Sequence, residues 1–471
     1  MDNKLIPLGN TSIVLAKTSS VLAITNKLTF NQNRKLVKEI FLKNPQFFID
    51  YVSYFYPLNE ELIDKYNAYR NKKLFLSKNN AYWNWGYLSE NNALLWSKSL
   101  IEKFKDNWSW WDLSRNKSLP WSIELIEKFK DNWDWDWHGF CLSENEALPW
   151  SIELIEKFKD MWSWSALSEN EALPWSESFI EKYKDKWEWE LLSWNESLPW
   201  SENFIEKYKD KWDWHGLSRN ESLPWSENFI EKYKDKWNWN YLSSNKSLPW
   251  SLELFEKYKS RLSWRSISKN TASIWTEELI EKYKDKWDWD SLSKNKSLPW
   301  SENLIEKYKD KWYWGFSMID DGLSSNESIP WSENLIEKFK DKWNWWNLSR
   351  NKSLPWSENF IEKYKWNWSS LSSNQALPWS ESFIEKYKDK WDWHGLSMNK
   401  SLPWSESFIE KYSDKWNWNN MLSKSVIEWN LKMLLLVVNN EKKDYYCNEK
   451  KWNVLKPFVD DVLIEEVFSE I

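Results

Sequence analysis

"LPWSENFIEKYKDKWDWHGLSRN", from Leu198 to Asn220, holds three tryptophans and one of the chain's three histidines. It reads either as an aromatic site around a catalytic histidine or as packing. Recurrence decides between the two. The tetrad Leu/Ile-Ser-x-Asn begins at Leu88, Leu113, Leu142, Leu167, Leu192, Leu217, Leu242, Ile267, Leu292, Leu323, Leu348, Leu371 and Leu396. Nine of the twelve steps are 25 residues, and the others are 29, 31 and 23. Thirteen repeats at a near-fixed period are the signature of a stacked array. The 46 tryptophans of this 471-residue chain are then repeated architecture, packed as core from repeat to repeat.

Each repeat predicts two helices. In the quoted unit Ser201 is the N-cap of the first, with Pro199 forbidding an earlier start. Trp200 is placed to staple onto Ile205. Phe204, Ile205, Tyr208 and Trp212 share one face of a helix of about twelve residues. The second, shorter helix is capped by the residue between the paired tryptophans. That residue is Ser, Asp or Asn at twelve of the fourteen Trp/Leu-x-Trp sites, the types that cap best. Trp214, Leu217 and Ser218 form its inner face. Asn220 is expected in the left-handed conformation that closes helices, with its side chain free to bond the neighbouring repeat as a ladder.

The fold class is therefore all-α: a helix-turn-helix repeat solenoid, with two short helices per 25-residue repeat. Residues 1–56 read as an N-terminal piece, β-containing over residues 4–30 and helical over Arg34–Lys43 and Pro45–Tyr56. Residues 57–82 form a degenerate capping repeat, in which Asn59–Tyr69 match the first helix. Residues 83–421 are the array. Residues 422–471 are a C-terminal cap, with helices expected over Val426–Val438 and Lys456–Phe468. Loops near His138–Cys141 and Phe316–Gly322 should bulge from the repeats.

Little chemistry stands out. His138, His215 and His394 all occupy one drifting repeat position in "WHG". A catalytic histidine would be singular and partnered. Neither a glycine-rich phosphate loop nor a nucleophile elbow is found. The carboxylates of "IEKYKDK" read as a solvated face with i,i+3 and i,i+4 charge pairs. Two cysteines far apart suggest neither a disulfide framework nor zinc. The expectation is a protein without catalytic, cofactor or metal sites. A net charge of −6 argues against nucleic acid as the partner. No signal-peptide pattern or membrane-spanning stretch is read, so a cytoplasmic monomer is expected.

A partner surface is sought where the repeats differ. The residues flanking the recurrent Asn vary most. From 142 to 221 they carry six Glu and one Arg, among them Glu144, Glu146, Glu169 and Glu171. From 242 to 400 they carry seven Lys or Arg and one Glu, among them Lys294, Lys296, Arg350 and Lys352. Together they predict a charge-polarised ridge for a protein or peptide, with Trp194 as its exposed anchor. The alternative is a nucleic-acid or glycan binder using exposed tryptophans and lysines. It requires about one exposed ring per repeat.

The pattern KWDWxxLSxNxxLPWSxxLIEKYKDKW, as in Lys286 to Trp312, resembles the tryptophan-rich tandem-repeat proteins of some bacteria and large DNA viruses. The resemblance covers roughly residues 83 to 418. It implies a repeat array and supplies no catalytic residues to carry over.

Overall fold

The computed structural model describes residues 29–67, 83–136, 141–272, 274–316, 321–423, 430, 431, 434 and 449–471. Among them every regular element is helical. Helix pairs recur in each repeat and pack against their neighbours, so the chain is an all-α repeat solenoid. No helix among the described residues is long and apolar enough to cross a membrane. The chain divides into two compact units. One holds Trp110–Trp404 with Lys415–Asn417, and the other holds the remainder.

In the larger unit the quoted repeat shows how sequence makes the fold. The first helix is Glu202–Lys207, and the Ser201 hydroxyl accepts from the Phe204 amide. It has six residues, half the expected length. The shortening has a physical cause in the tryptophans. The Trp212 indole donates to the Ile205 carbonyl at 3.2 Å, and the Trp214 indole to Lys209 at 3.0 Å. These indoles take up carbonyls at which further helix would end its own hydrogen bonds. The chain turns instead, with both Lys211 and Trp212 amides bonding Tyr208. Trp200 likewise departs from a simple staple. Its indole donates to Asn195 at 3.0 Å, and its ring meets Phe204 at 5.8 Å and Trp212 at 5.1 Å.

The second helix, Trp214–Arg219, is capped by Asp213, which accepts from the His215 and Gly216 amides. At the preceding unit's exception, Glu188, no side-chain cap forms. The tetrad then links repeats. Leu217 and Ser218 are fully buried. The Ser218 hydroxyl donates to Trp214 at 2.6 Å and accepts from the Asn238 amide of the following repeat at 2.9 Å. Asn220 is extended (φ −63°, ψ 118°), not left-handed. Its amide group reaches back to the Ser193 carbonyl at 3.2 Å and Asn195 at 3.3 Å, and its side-chain oxygen accepts from Ser222 at 2.9 Å. The ladder geometry requires the extended backbone, because a left-handed turn would swing this side chain away from the preceding repeat. The same Asn-to-Ser bond recurs from Asn145 to Asn399.

Of the three tryptophans, only Trp212 is fully buried, and Trp200 and Trp214 are half-buried. The rings are core, but two of three are its outer layer. Trp189 meets Trp212 of the next repeat at 4.7 Å, with the Lys211 ammonium 5.2 Å from its ring.

In the other unit, residues 29–43 are helical, followed by Pro45–Phe55 and Glu60–Asn67. The C-terminal helix is Asp461–Glu470, capped by Asp460. It starts later than expected, because Pro457 sits in a separate 3-10 turn, Lys456–Phe458, after Glu449–Leu455. The terminal pieces are not independent caps. Phe468 packs on Phe48, Tyr66 and Trp83 at 5.0, 4.1 and 5.2 Å. Arg34 pairs with Asp460 at 2.7 Å, and Lys65 with Glu465 at 2.7 Å. The β-containing stretch falls outside the described residues, except 29 and 30, which are helical. The helix expected over Val426–Val438 also lies almost wholly outside them, as do His138 and most of both inserted loops.

Two substitutions test this bonding. Trp212→Phe keeps a ring but strips the donor from the Ile205 carbonyl, and Asn220→Ala releases two carbonyls and an amide. Each should cost about 1–3 kcal/mol, whereas exposed Glu221→Ala should stay within about 0.5 kcal/mol. Urea midpoints compare all three, and equal midpoints would remove the backbone-bonding account.

Candidate functional site

The tetrad decides which side chains are free. Its Leu, Ser and Asn are buried in backbone duties, leaving the third residue and the one after Asn outside. Glu169, Glu171, Trp194, Glu196, Arg219, Lys269, Lys294, Lys296, Arg350 and Lys352 are exposed. Glu144 ends a short 3-10 turn, Leu142–Glu144, and is half-buried. Most ridge residues therefore face solvent at the two positions that flank the Asn of each repeat.

Two clefts gather some of them. Glu169, Glu171 and Trp194, with Leu191 and Asn195, line a cavity of about 380 Å³. Trp194 is 39% exposed. The Arg219 guanidinium stands 4.5 Å from its ring and 5.0 Å from Tyr241. The second cavity, about 610 Å³, is lined by Arg350, Lys352, Trp346, Asn347, Ser370 and Asp321, among others. Arg350 lies over Trp346 at 4.8 Å. Glu144, Glu146, Lys294 and Lys296 line neither cleft. Three of these carry partners already: Glu146 holds Lys117 at 2.7 Å, Lys294 holds Asp290 at 3.6 Å, and Lys296 holds Glu327 at 3.9 Å.

Sequence reasoning singled out Trp194 and missed Trp111 and Trp346. Trp111 is 40% exposed, with Arg115 4.5 Å from its ring. The signal was present. "WSWWD" and "WNWWN" each add a tryptophan directly after the recurring pair, at the position where His215 and His394 stand. Those histidines are exposed: His215 meets Tyr241 edge-on at 5.9 Å, and His394 Nδ1 lies 3.2 Å from the Asn417 side-chain amide. Among the described residues no group of His, Cys, Asp or Glu is arranged to hold a metal ion.

The carboxylates of "IEKYKDK" do more than keep the face soluble. The expected i,i+3 pairs form, as in Lys184–Glu181 at 2.9 Å. Glu181 is also clamped by the next repeat, through the Tyr208 hydroxyl and Lys207 at 2.9 Å. Tyr208 first, then Lys207 and Lys184, hold the Glu181 carboxyl down to about 2. Glu156, Glu206, Glu231, Glu256 and Glu281 are depressed in the same way. Each carboxylate is thus an inter-repeat clamp, with no poised acid beside it. No family model, curated protein or solved structure matches the chain.

The depressed carboxyls fix a pH dependence. Their folded value lies below the unfolded one, so their stabilisation is complete above about 4.5 and is lost as pH falls towards 2. Unfolding followed by circular dichroism should steepen through that window. Tyr208→Phe should flatten it slightly, by lowering stability at pH 7 to 8 while leaving stability near pH 2 nearly unchanged. A variant as acid-sensitive as the parent would show that the clamp does not contribute.

Proposed function

We propose that the chain is a non-catalytic scaffold, a cytoplasmic monomer that binds a protein or peptide along the charge-polarised ridge. The observation that carries the reading is the pair of clefts at those repeat positions. One is walled by Glu169, Glu171 and Trp194, and the other by Arg350, Lys352 and Trp346. An aromatic ring flanked by charged groups on a repeat stack suits an extended ligand that alternates charged and apolar groups. The ridge positions carry no backbone duty, so the ligand surface varies without cost to the fold.

Sequence-tolerant binding of nucleic acid or glycan is the weaker reading. It needs a regular row of open rings, whereas two of the three recurring tryptophans are half-buried and the third is buried. In the quoted repeat the indole N–H groups of Trp200, Trp212 and Trp214 are all committed to backbone carbonyls.

Selection of a random peptide library on the full-length chain tests the proposal. Enriched peptides should carry opposite charges in separate blocks. The quadruple variant K294E/K296E/R350E/K352E should weaken their binding by about tenfold or more, because like charges then face each other. Raised salt should weaken the parent in the same direction. Peptides bound equally by parent and variant would overturn the ridge as the binding surface.

A further inference from the structure

The larger cleft is a more specific site than its charge alone implies. We infer that the cavity bounded by Asp321, Trp346, Arg350, Lys352 and Ser370 is a carboxylate-binding pocket, built to anchor an acidic side chain of a bound peptide. The inference rests on the peptide-scaffold reading and deepens it by naming the ligand chemistry.

Three observations carry it. The first is the state of the cations. Of the seven basic ridge residues from the second half, Lys294 and Lys296 are paired with carboxylates. Arg350 and Lys352 form no ion pair among the described residues, and both line the cavity. Glu327, on the same wall, is engaged by Lys296 at 3.9 Å. A guanidinium held over an indole, as Arg350 is over Trp346 at 4.8 Å, keeps N–H groups available for a carboxylate.

The second observation is an orphaned hydroxyl. Ser370 is 5% exposed, lines the cavity, and its Oγ has no hydrogen-bond partner among the described residues. Buried polar groups are nearly always satisfied, and an unsatisfied one needs an explanation. A ligand oxygen accepting from Ser370 supplies one. The neighbouring amides do not compete for the same ligand. Asn351 and Asn374 spend both ends of their side chains on the Ser324, Asn326, Ser349 and Asn351 carbonyls and the Ser353 and Ala376 amides.

The third observation is position. The cavity lies between two of the three departures from the repeat period, the 31-residue step from Leu292 to Leu323 and the 23-residue step from Leu348 to Leu371. The insertion contributes Asp321 to the wall. At about 610 Å³ the cavity holds a side chain with its flanking backbone.

The test is fluorescence anisotropy of fluorescein-labelled acetyl-hexaglutamate amide with the full-length chain at low ionic strength. Hexalysine and oligo-dT of matched length are the comparison probes. Hexaglutamate should bind best. R350E/K352E should weaken it by about tenfold or more, and S370A by about three- to tenfold, the worth of one hydrogen bond. K246E/K269E reverses two ridge cations outside the cavity and should have a much smaller effect. If both double variants weaken binding equally, a diffuse field and not a pocket is responsible, and the inference falls. Preferential binding of oligo-dT would overturn it in favour of phosphate recognition. If hexaglutamate does not bind while library peptides still depend on the ridge, the pocket assignment fails and the scaffold reading survives. Circular dichroism confirms the fold of each variant, all of whose substituted cations are exposed.

Discussion

An α-helix of six residues leaves most of its backbone polar groups open, since the first four N–H and last four C=O groups of any helix have no partner within it. An array of such helices is stable only if side chains close those groups. Every invariant feature of these repeats meets that demand. Ser201 and Asp213 cap the helix starts. Trp200, Trp212 and Trp214 each donate an indole N–H to a carbonyl. Ser218 and Asn220 carry the bonding across to neighbouring repeats. Tryptophan is the one large aromatic side chain that donates without also accepting. Phenylalanine in its place would fill the core and leave a carbonyl bare. The constraint therefore accounts for the tryptophan content as well as its spacing.

The same demand separates framework from surface. A residue bonded to backbone on both sides cannot change without exposing a buried donor or acceptor, which costs about 1–3 kcal/mol. A residue between two such anchors carries no such penalty. Hence the third tetrad position takes Glu169, Trp194, Arg219, Lys294 and Met398 in turn, while the Ser and Asn around it do not vary and the Leu changes only once, to Ile267.

Much of this was legible in the sequence, because each repeat repeats its own evidence. The caps at Ser201 and Asp213, the core face of Phe204 and Ile205 and the ladder at Asn220 all follow from local spacing. Helix length misled, since Phe204, Ile205, Tyr208 and Trp212 keep helical spacing across a turn whose carbonyls the indoles have claimed. The conformation of Asn220 misled because its type is common to left-handed closures and to side-chain ladders alike. The shared core of the two termini left no local trace. Arg34 and Asp460 are 426 positions apart, and no periodicity joins them. Trp346 was visible as an extra ring, but its pairing with Arg350 becomes meaningful only beside the unpaired hydroxyl of Ser370 in the next repeat.

The irregular repeats reveal which bonds are obligatory. Where residues are inserted, the second helix shrinks to the three-residue turns Leu142–Glu144 and Leu323–Ser325. The serine still finds the tryptophan carbonyl. Ser143 reaches Trp135 at 2.7 Å and Ser324 reaches Trp314 at 2.6 Å, over eight and ten residues in place of the usual four. The asparagine ladder also holds, with Asn326 bonding Ser293 at 3.0 Å across the longer step. The short step is absorbed equally, with Asn374 bonding Ser349 at 3.0 Å. Helix is thus the dispensable part of the repeat, and the side-chain-to-backbone ladder is the part that sets register. An array built on the ladder tolerates loops of any length between Trp-x-Trp and Leu-Ser, because those loops interrupt no inter-repeat bond. That is the place where Asp321 enters the wall of the basic cleft, so a pocket arises there without a defect in the stack beneath it.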